Sequence, residues 1–212
     1  MRTPARLLLG SFVFALQWLP ATVSAQSVLY NNGAPAASGD LINATRLLSD
    51  DFALASSVSV NQIRFFAAGF TGAPTGYSGT FNWAILLDNA GTPGAVLASG
   101  IANPTPVPFS VIGGFAISQF DFSIASLLLG PGTYRLQLQD PGSEGDFYWS
   151  ATTRVTGRPG YDARTGPRAI DYSFQILGTT SVVPEPATVL LLGTGLVGIL
   201  IAGRRRPRRA DH

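Results

Sequence analysis

Apolar and polar residues alternate in short runs along most of this chain, and that alternation restricts it to strands. Phe81, Trp83, Ile85 and Leu87 fall on one face of their run; Tyr134, Leu136 and Leu138 alternate with Arg135, Gln137 and Gln139; Ile170, Tyr172, Phe174 and Ile176 alternate with Asp171, Ser173 and Gln175. A period of two places one set of side chains on a core and the other toward solvent, as only an extended strand does. Each run closes on turn residues, at 88–94 (Asp-Asn-Ala-Gly-Thr-Pro-Gly), at Gly130-Pro131-Gly132 and at Asp140-Pro141-Gly142. No segment between 27 and 180 sustains a period of 3.6, and 123–129 is expected to form no more than a helical turn. Strands are expected near 27–30, 46–54, 58–66, 79–88, 95–102, 110–122, 132–139, 145–151 and 169–177. About nine short strands with regular turns and no strand–helix–strand rhythm imply an all-β fold, an antiparallel β-sandwich or jelly roll. The longest stretch without a strand pattern, 152–168, carries Arg154, Arg158, Arg164 and Arg168 among glycine and proline and is expected as a surface loop or irregular hairpin.

The two ends follow a different rule. Arg2 and Arg6 precede an apolar run from Leu7 to Leu19, and Val23-Ser24-Ala25 places small residues where a signal peptidase cleaves, between Ala25 and Gln26. A run of about 13 residues is too short to span a bilayer stably, so residues 1–25 are expected as a signal helix that is removed. At the other end, 179–183 is a linker and 184–209 a separate tail. Ala187 to Gly203 is uncharged; as a helix it would extend roughly 25 Å, at the short end of what crosses a bilayer. Arg204, Arg205, Arg206, Arg208 and Arg209 follow it, and a basic cluster beside an apolar helix stays in the cytoplasm. The body, 26–178, is therefore expected on the extracytoplasmic side, with the tail in the inner membrane.

This division also explains the charge. The chain has 14 basic residues, 12 acids and no lysine. Between 26 and 183 there are seven arginines against ten acids, a formal charge of −3, so the basic balance belongs to the two ends. A nucleic-acid partner is not expected, because its binders carry basic residues on the folded domain.

Within the tail, Pro184-Glu185-Pro186 removes two backbone donors and holds the segment extended, available to be gripped by another protein. The order Pro184-Glu185-Pro186, short apolar helix, terminal arginine cluster resembles the PEP-CTERM sorting signal of Gram-negative bacteria over 182–209. The resemblance implies recognition and processing by exosortase, an integral-membrane transpeptidase-like enzyme. It also implies a transient anchor, delivery to the cell surface or extracellular matrix, and exopolysaccharide as a neighbour. The body resembles the uncharacterised β-sandwich ectodomains that precede such tails. The segments that carry this likeness are 49–54, 59–65, 83–88 with 92–98, 129–136 and Tyr148-Trp149-Ser150. This second resemblance brings a fold and no functional residues.

The residue inventory excludes several chemistries. The one histidine, His212, lies beyond the apolar segment, and there is no cysteine, so the body holds neither a Ser-His-Asp nor a Cys-His arrangement nor a histidine or thiolate zinc site. Without lysine there is no Schiff base. Paired carboxylates of a glycoside hydrolase would have to come from Asp40, Asp50, Asp51, Asp121, Asp140, Glu144 or Asp146. Asp140, Glu144 and Asp146 lie in one glycine-containing loop and are the candidate calcium ligands, with Asp50-Asp51 a second candidate; otherwise no cofactor is expected. Tyr148 and Trp149, with Arg154 and Arg158, are the candidate contacts to a glycan. The expected function is that of an exported structural or adhesive protein without catalysis. The alternatives are a carbohydrate-binding module for exopolysaccharide and, third, a carboxylate-based hydrolase.

Overall fold

A computed structural model describes residues 26–69, 76–153 and 158–180. The predicted signal helix and transmembrane helix lie outside these residues, and among the described residues no helix is long and apolar enough to cross a membrane. The described residues form thirteen strands: β1 (Ser27–Asn31), β2 (Pro35–Leu41), β3 (Leu48–Leu54), β4 (Val58–Gly69), β5 (Phe81–Asn89), β6 (Thr92–Ala102), β7 (Val107–Ile112), β8 (Phe115–Leu129), β9 (Gly132–Gln139), β10 (Tyr148–Thr152), β11 (Tyr161–Asp162), β12 (Gly166–Pro167) and β13 (Phe174–Thr180).

These strands build two antiparallel sheets. One, of six strands, runs β12-β11-β3-β9-β5-β6. The other, of seven, is organised around β4. Along one side β4 pairs with β8 from Val58 to Gly69. Along the other it is shared: β13 takes Val58 to Phe65, and β10 takes Ala67 and Ala68. β1 then pairs β13, β2 pairs β10, and β7 pairs the start of β8. Trp149 closes the fork between β13 and β10, its indole Nε1 donating to the Ser173 carbonyl at 3.1 Å. Buried Asn32 ties the two sheets together; its amide donates to Asp50 Oδ2 and to the Tyr172 carbonyl, each at 2.9 Å.

The inner faces meet in one core to which both sheets contribute, including Phe52, Ile85, Leu136 and Leu138 from one and Ile63, Phe65, Phe120 and Phe174 from the other. Aromatic rings bridge the layers. Phe65 meets Phe81 edge-on at 4.8 Å and Phe52 meets Phe174 edge-on at 6.3 Å, while within its own sheet Phe65 stacks on Phe120 at 4.9 Å. Each fully buried side chain of this size contributes about 1.5–3 kcal/mol, which is how a cysteine-free domain is held together.

Four expectations need correction. Residues 123–129 are not a helical turn but the end of β8, where Leu127, Leu128 and Leu129 pair with Val60, Ser59 and Val58. The run 110–122 is two strands, β7 and β8, turned at Gly113 and Gly114 with φ of +58° and +88°. β10 begins at Tyr148, so the expected strand from 145 starts late. β2 was not expected at all. Its sequence, Pro-Ala-Ala-Ser-Gly-Asp-Leu, shows no alternation of large apolar residues, because it must pass close to its neighbour: a Cβ on Gly39 would run into the Trp149 carbonyl. The stretch 152–168 takes the form of an irregular hairpin over its described part, with β11 paired to β12 and to β3.

Candidate functional site

The segment after Arg158 is pinned across the outer side of the six-stranded sheet by ion pairs. β11 extends that sheet by pairing Tyr161 with Ser49 and Asp162 with Leu48. Arg168 grips Asp40 with both arms, Nε to Oδ2 at 2.8 Å and Nη2 to Oδ1 at 2.7 Å. Arg46 donates twice to Asp162 Oδ2, at 2.9 and 2.7 Å. Asp88 sits between Arg135 at 3.0 Å and Arg158 at 2.8 Å. The Arg158 backbone N–H donates to Asp51 Oδ1 at 3.1 Å, and Arg135 Nη2 donates to the Pro159 carbonyl at 3.1 Å.

Arg135 is the centre of this latch. The alternation of β9 places it on the face opposite Tyr134 and Leu136, where the sequence implies solvent, yet it is fully buried. Leu86, on the same outer face opposite Arg135, is buried as well, whereas Leu87 on the inward face is 43% exposed. The folded-over segment shields the outer face at this end of the sheet. A buried guanidinium survives only with its donors occupied.

The acids respond to their surroundings in opposite directions. Burial raises Asp50 well above the ordinary carboxylate range, against the Tyr172 backbone N–H that works to lower it. Burial raises Asp51 too, opposed by the Arg158 backbone N–H. Asp162 also feels burial pushing upward, but the Arg164 backbone N–H and the Arg46 guanidinium outweigh it and hold the carboxyl below the usual range. The Tyr172 phenol, buried and donating to Asp40 Oδ2 at 2.7 Å, is raised and stays neutral.

This geometry decides the fate of the residues singled out in the sequence. Of the candidate calcium ligands, Asp140 is fully buried and accepts from the Ser78 backbone N–H at 2.9 Å, the Ser78 hydroxyl and the Gly142 N–H at 3.0 Å. It caps the turn, while Glu144 is exposed and Asp146 half-buried. Among the described residues no three acids come together as a metal-holding group, neither this trio nor Asp50-Asp51 with a neighbour. Of the candidate glycan contacts, Trp149 is fully buried and stacks on Tyr172 at 4.7 Å, so it offers no face to a sugar. Tyr148 points to the other side of β10, half-buried beside Ala68 and Phe115. Arg158 is exposed but spent on Asp88. Arg154 lies outside the described residues. Tyr148, Trp149 and Arg158 thus do not form one surface.

What the sequence did not single out is a shallow groove of about 440 Å³ on the outer face of the six-stranded sheet. Its floor is a set of amides brought side by side by register: Asn82 opposes Gln139, and Ala84 opposes Gln137. Ser99, Val96 and Ile101 of β6 form its rim, and no charged residue lines it. Asn82 donates to Gln139 Oε1 at 3.3 Å and Gln139 donates to the Ala44 carbonyl at 2.9 Å. Within the described residues the side chains of Gln137 and Ser99 are left free to bond a ligand. In sequence these amides are merely the polar half of an alternating strand.

The chain enters and leaves this domain side by side. Gln26 is exposed, its amide bonded to Asn61 Oδ1 at 3.1 Å, and Ser27 of β1 pairs with Gly178 of β13. Ala25, Pro184, Glu185, Pro186 and the arginines 204, 205, 206, 208 and 209 lie outside the described residues. β13 ends at Thr180, and a family model of the PEP-CTERM protein-sorting motif matches residues 182–206, which include Pro184-Glu185-Pro186 and the first three arginines of the cluster. No curated protein matches the chain as a relative. The chain carries a PEP-CTERM sorting motif directly after a two-sheet domain. The motif implies recognition by exosortase, a membrane processing enzyme, and an exported, membrane-associated cell-surface protein.

Proposed function

We propose that this chain is an exosortase substrate whose tail delivers a non-enzymatic β-sandwich to the cell surface, where the sandwich acts as a structural or adhesive element. The observation that carries this reading is the adjacency of the folded domain, ending at Thr180, and the sorting motif from 182 to 206. The signal peptide at 1–25, the membrane span at 187–203 and the cytoplasmic arginines belong to the same reading. The state of the acids supports a role without catalysis. Asp40, Asp50, Asp51, Asp140 and Asp162 are buried and occupied by internal donors, whereas a carboxylate hydrolase needs two acids facing one accessible cleft. The test is mass spectrometry of the mature protein from its host. A C-terminus near Pro184 is expected; a mature protein that keeps Arg204 to Arg209 would make the tail a permanent anchor and refute processing.

A second reading, carbohydrate binding, is favoured by the uncharged amide groove. Free amide and hydroxyl groups beside aliphatic rims suit a neutral polyol, and such a site would sit on Gln137 and Ser99 rather than on Tyr148, Trp149, Arg154 and Arg158. An array of neutral and acidic glycans probed with the purified protein separates the two. Binding to a neutral glycan that is lost in Gln137→Ala supports this reading, and an array without signal removes it.

A further inference from the structure

Both ends of the chain leave the described domain at one pole. β13 runs toward it and ends at Thr180, and one rung of the seven-stranded sheet joins Thr180 to Val58 of β4 and Leu129 of β8. Ser27 of β1 lies beside Gly178, so Gln26 leaves there as well. The loop from Leu54 to Val58 and the turn at Gly130-Pro131 close the pole, with Leu54 opposite Gly132. In the function proposed above, the membrane span starts at Ala187. Seven residue steps separate it from Thr180 and reach at most about 25 Å when fully extended. This pole is therefore the part of the domain held closest to the bilayer.

Its composition suits that position. The stretches 26–28, 54–59, 125–133 and 178–180 contain no charged residue. Leu128 is 71% exposed and Val28 50% exposed. Leu128 lies opposite Ser59, which in turn lies opposite Thr179, and Val28 lies opposite Leu177, so both sit next to the departing strand. Arg158 comes near the side of this pole, where a Cβ on Gly91 would lie 3.4 Å from its Cδ, and it is already paired with Asp88. The exposed acid Glu144 sits at the opposite pole, beside residues 76–78 beyond the far end of β4. Val107, Phe109 and Val111 of β7 are also exposed. That strand, however, flanks the half of β8 that pairs with Phe66 to Gly69, away from the exit.

We infer that this pole is a lipid-docking surface, on which Leu128 and Val28 seat in the headgroup layer while the tail is in the membrane. The inference rests on the membrane reading of the tail. Apolar side chains gain free energy on entering the interface, and no charge has to be stripped of water here. Two side chains are too few to hold a free domain, since even a single myristoyl chain binds membranes only marginally. A short tether raises their effective concentration at the bilayer and makes the weak contact count. The contact lasts as long as the tail and ends with its removal. It also keeps Pro184-Glu185-Pro186 near the headgroups, where a membrane-embedded enzyme reaches it.

The chain has no cysteine, so one introduced thiol carries one environment-sensitive fluorophore. Leu128→Cys, Val28→Cys, Val111→Cys and Leu196→Cys are each placed in the full chain. The protein is exported in a host without exosortase, so that it keeps its tail. It is then reconstituted in vesicles of phosphatidylethanolamine and phosphatidylglycerol that contain a spin-labelled quencher lipid. Val111, 74% exposed, is the apolar control away from the pole, and Leu196 reports the span. Strong quenching is expected at Leu196, Leu128 and Val28, and little at Val111. Leu128→Asp should bring quenching at the Val28 label down to the Val111 level, and Val28→Asp should do the same at the Leu128 label. Both side chains are solvent-exposed, and circular dichroism checks that the variants stay folded. A tether without docking predicts no effect of either aspartate. Quenching at Leu196 without quenching at Leu128 and Val28, or quenching that neither aspartate reduces, overturns the docking surface and leaves the tail in the membrane. No quenching at Leu196 removes the membrane reading, and the docking surface with it. A blue-shifted Leu128 label that lipid does not quench would mean that a protein covers the pole, and would likewise overturn the inference.

Discussion

Arg135→Met tests whether the latch is held from beneath. Methionine keeps much of the aliphatic length and removes the guanidinium. Four contacts go with it: Asp88 Oδ1 at 3.0 Å, the Pro159 carbonyl at 3.1 Å, and the hydroxyl and carbonyl of Ser49 at 3.3 and 3.4 Å. Removing one partner of a fully buried ion pair costs roughly 3–5 kcal/mol, because the other charge is stranded. Asp88 is not wholly stranded, since Arg158 remains at 2.8 Å, but that arginine is 46% exposed and its pair is correspondingly weaker. The cost should therefore fall at the lower end, about 3 kcal/mol. For a domain of this size that is a fall in Tm of roughly 6–12 °C, read by circular dichroism. Adding Asp88→Asn removes the stranded charge and should recover part of the loss, a coupling that only a direct interaction gives. The Pro159 carbonyl loses a donor as well, so limited proteolysis should cut first within 158–168. A loss below about 1 kcal/mol, or a double variant no more stable than Arg135→Met, would refute the account, because an Arg135 that mattered only as packing predicts both.

The remaining predictions concern the acids and one glycine. Asp50 is raised in the folded state, so the native form binds more protons than the unfolded one above the ordinary value of 3.8; stability falls as pH rises from there through the folded value, and Asp50→Asn should flatten that decline in chemical denaturation series. Asp162 is lowered, so its contribution is present above 3.8 and disappears as pH falls through the folded value; Asp162→Asn should weaken the protein at neutral pH and flatten the acid limb alone. Gly39→Ala forces a methyl against the Trp149 carbonyl, which is backbone and cannot swing aside, and should cost about 1–3 kcal/mol or more in a denaturant titration.

Much of the fold was legible along the chain because a strand with one buried face writes its own period. β5 and β9 lie where alternation put them, β13 takes up only the second half of its expected run, from Phe174, and the turn at 140–142 is capped by its own Asp140. The failures have physical reasons. β2 carries glycine and alanine instead of an apolar stripe because it runs against β10, and a strand defined by close approach has no hydrophobic period. Where candidate contacts prove to be engaged inside the fold, the reason is that residue type does not report exposure. Trp149, a candidate glycan contact by residue type, is buried in β10 and bonds the Ser173 carbonyl; Arg158, another candidate, is paired with Asp88. The amides Gln139 and Asn82 could not be found beforehand, because they become neighbours only through the β5–β9 register.

By itself the sequence determined what is local or terminal. It set the all-β character, the placing of the basic excess at the two ends, the absence of thiol and histidine chemistry from the body, and the sorting motif. The last is read as an extended linear segment and so needs no tertiary context. The tertiary structure decided what depends on residues far apart in the chain. It set which of the acids and arginines are buried together, as Asp88, Arg135 and Arg158 are, and it divided the second side of β4 between β13 and β10. It also decided that β6, one short run among many in sequence, ends at the edge of the six-stranded sheet. The reason is common to all three: charge pairing, strand order and edge position are properties of which segments meet, and a period of two is silent on that.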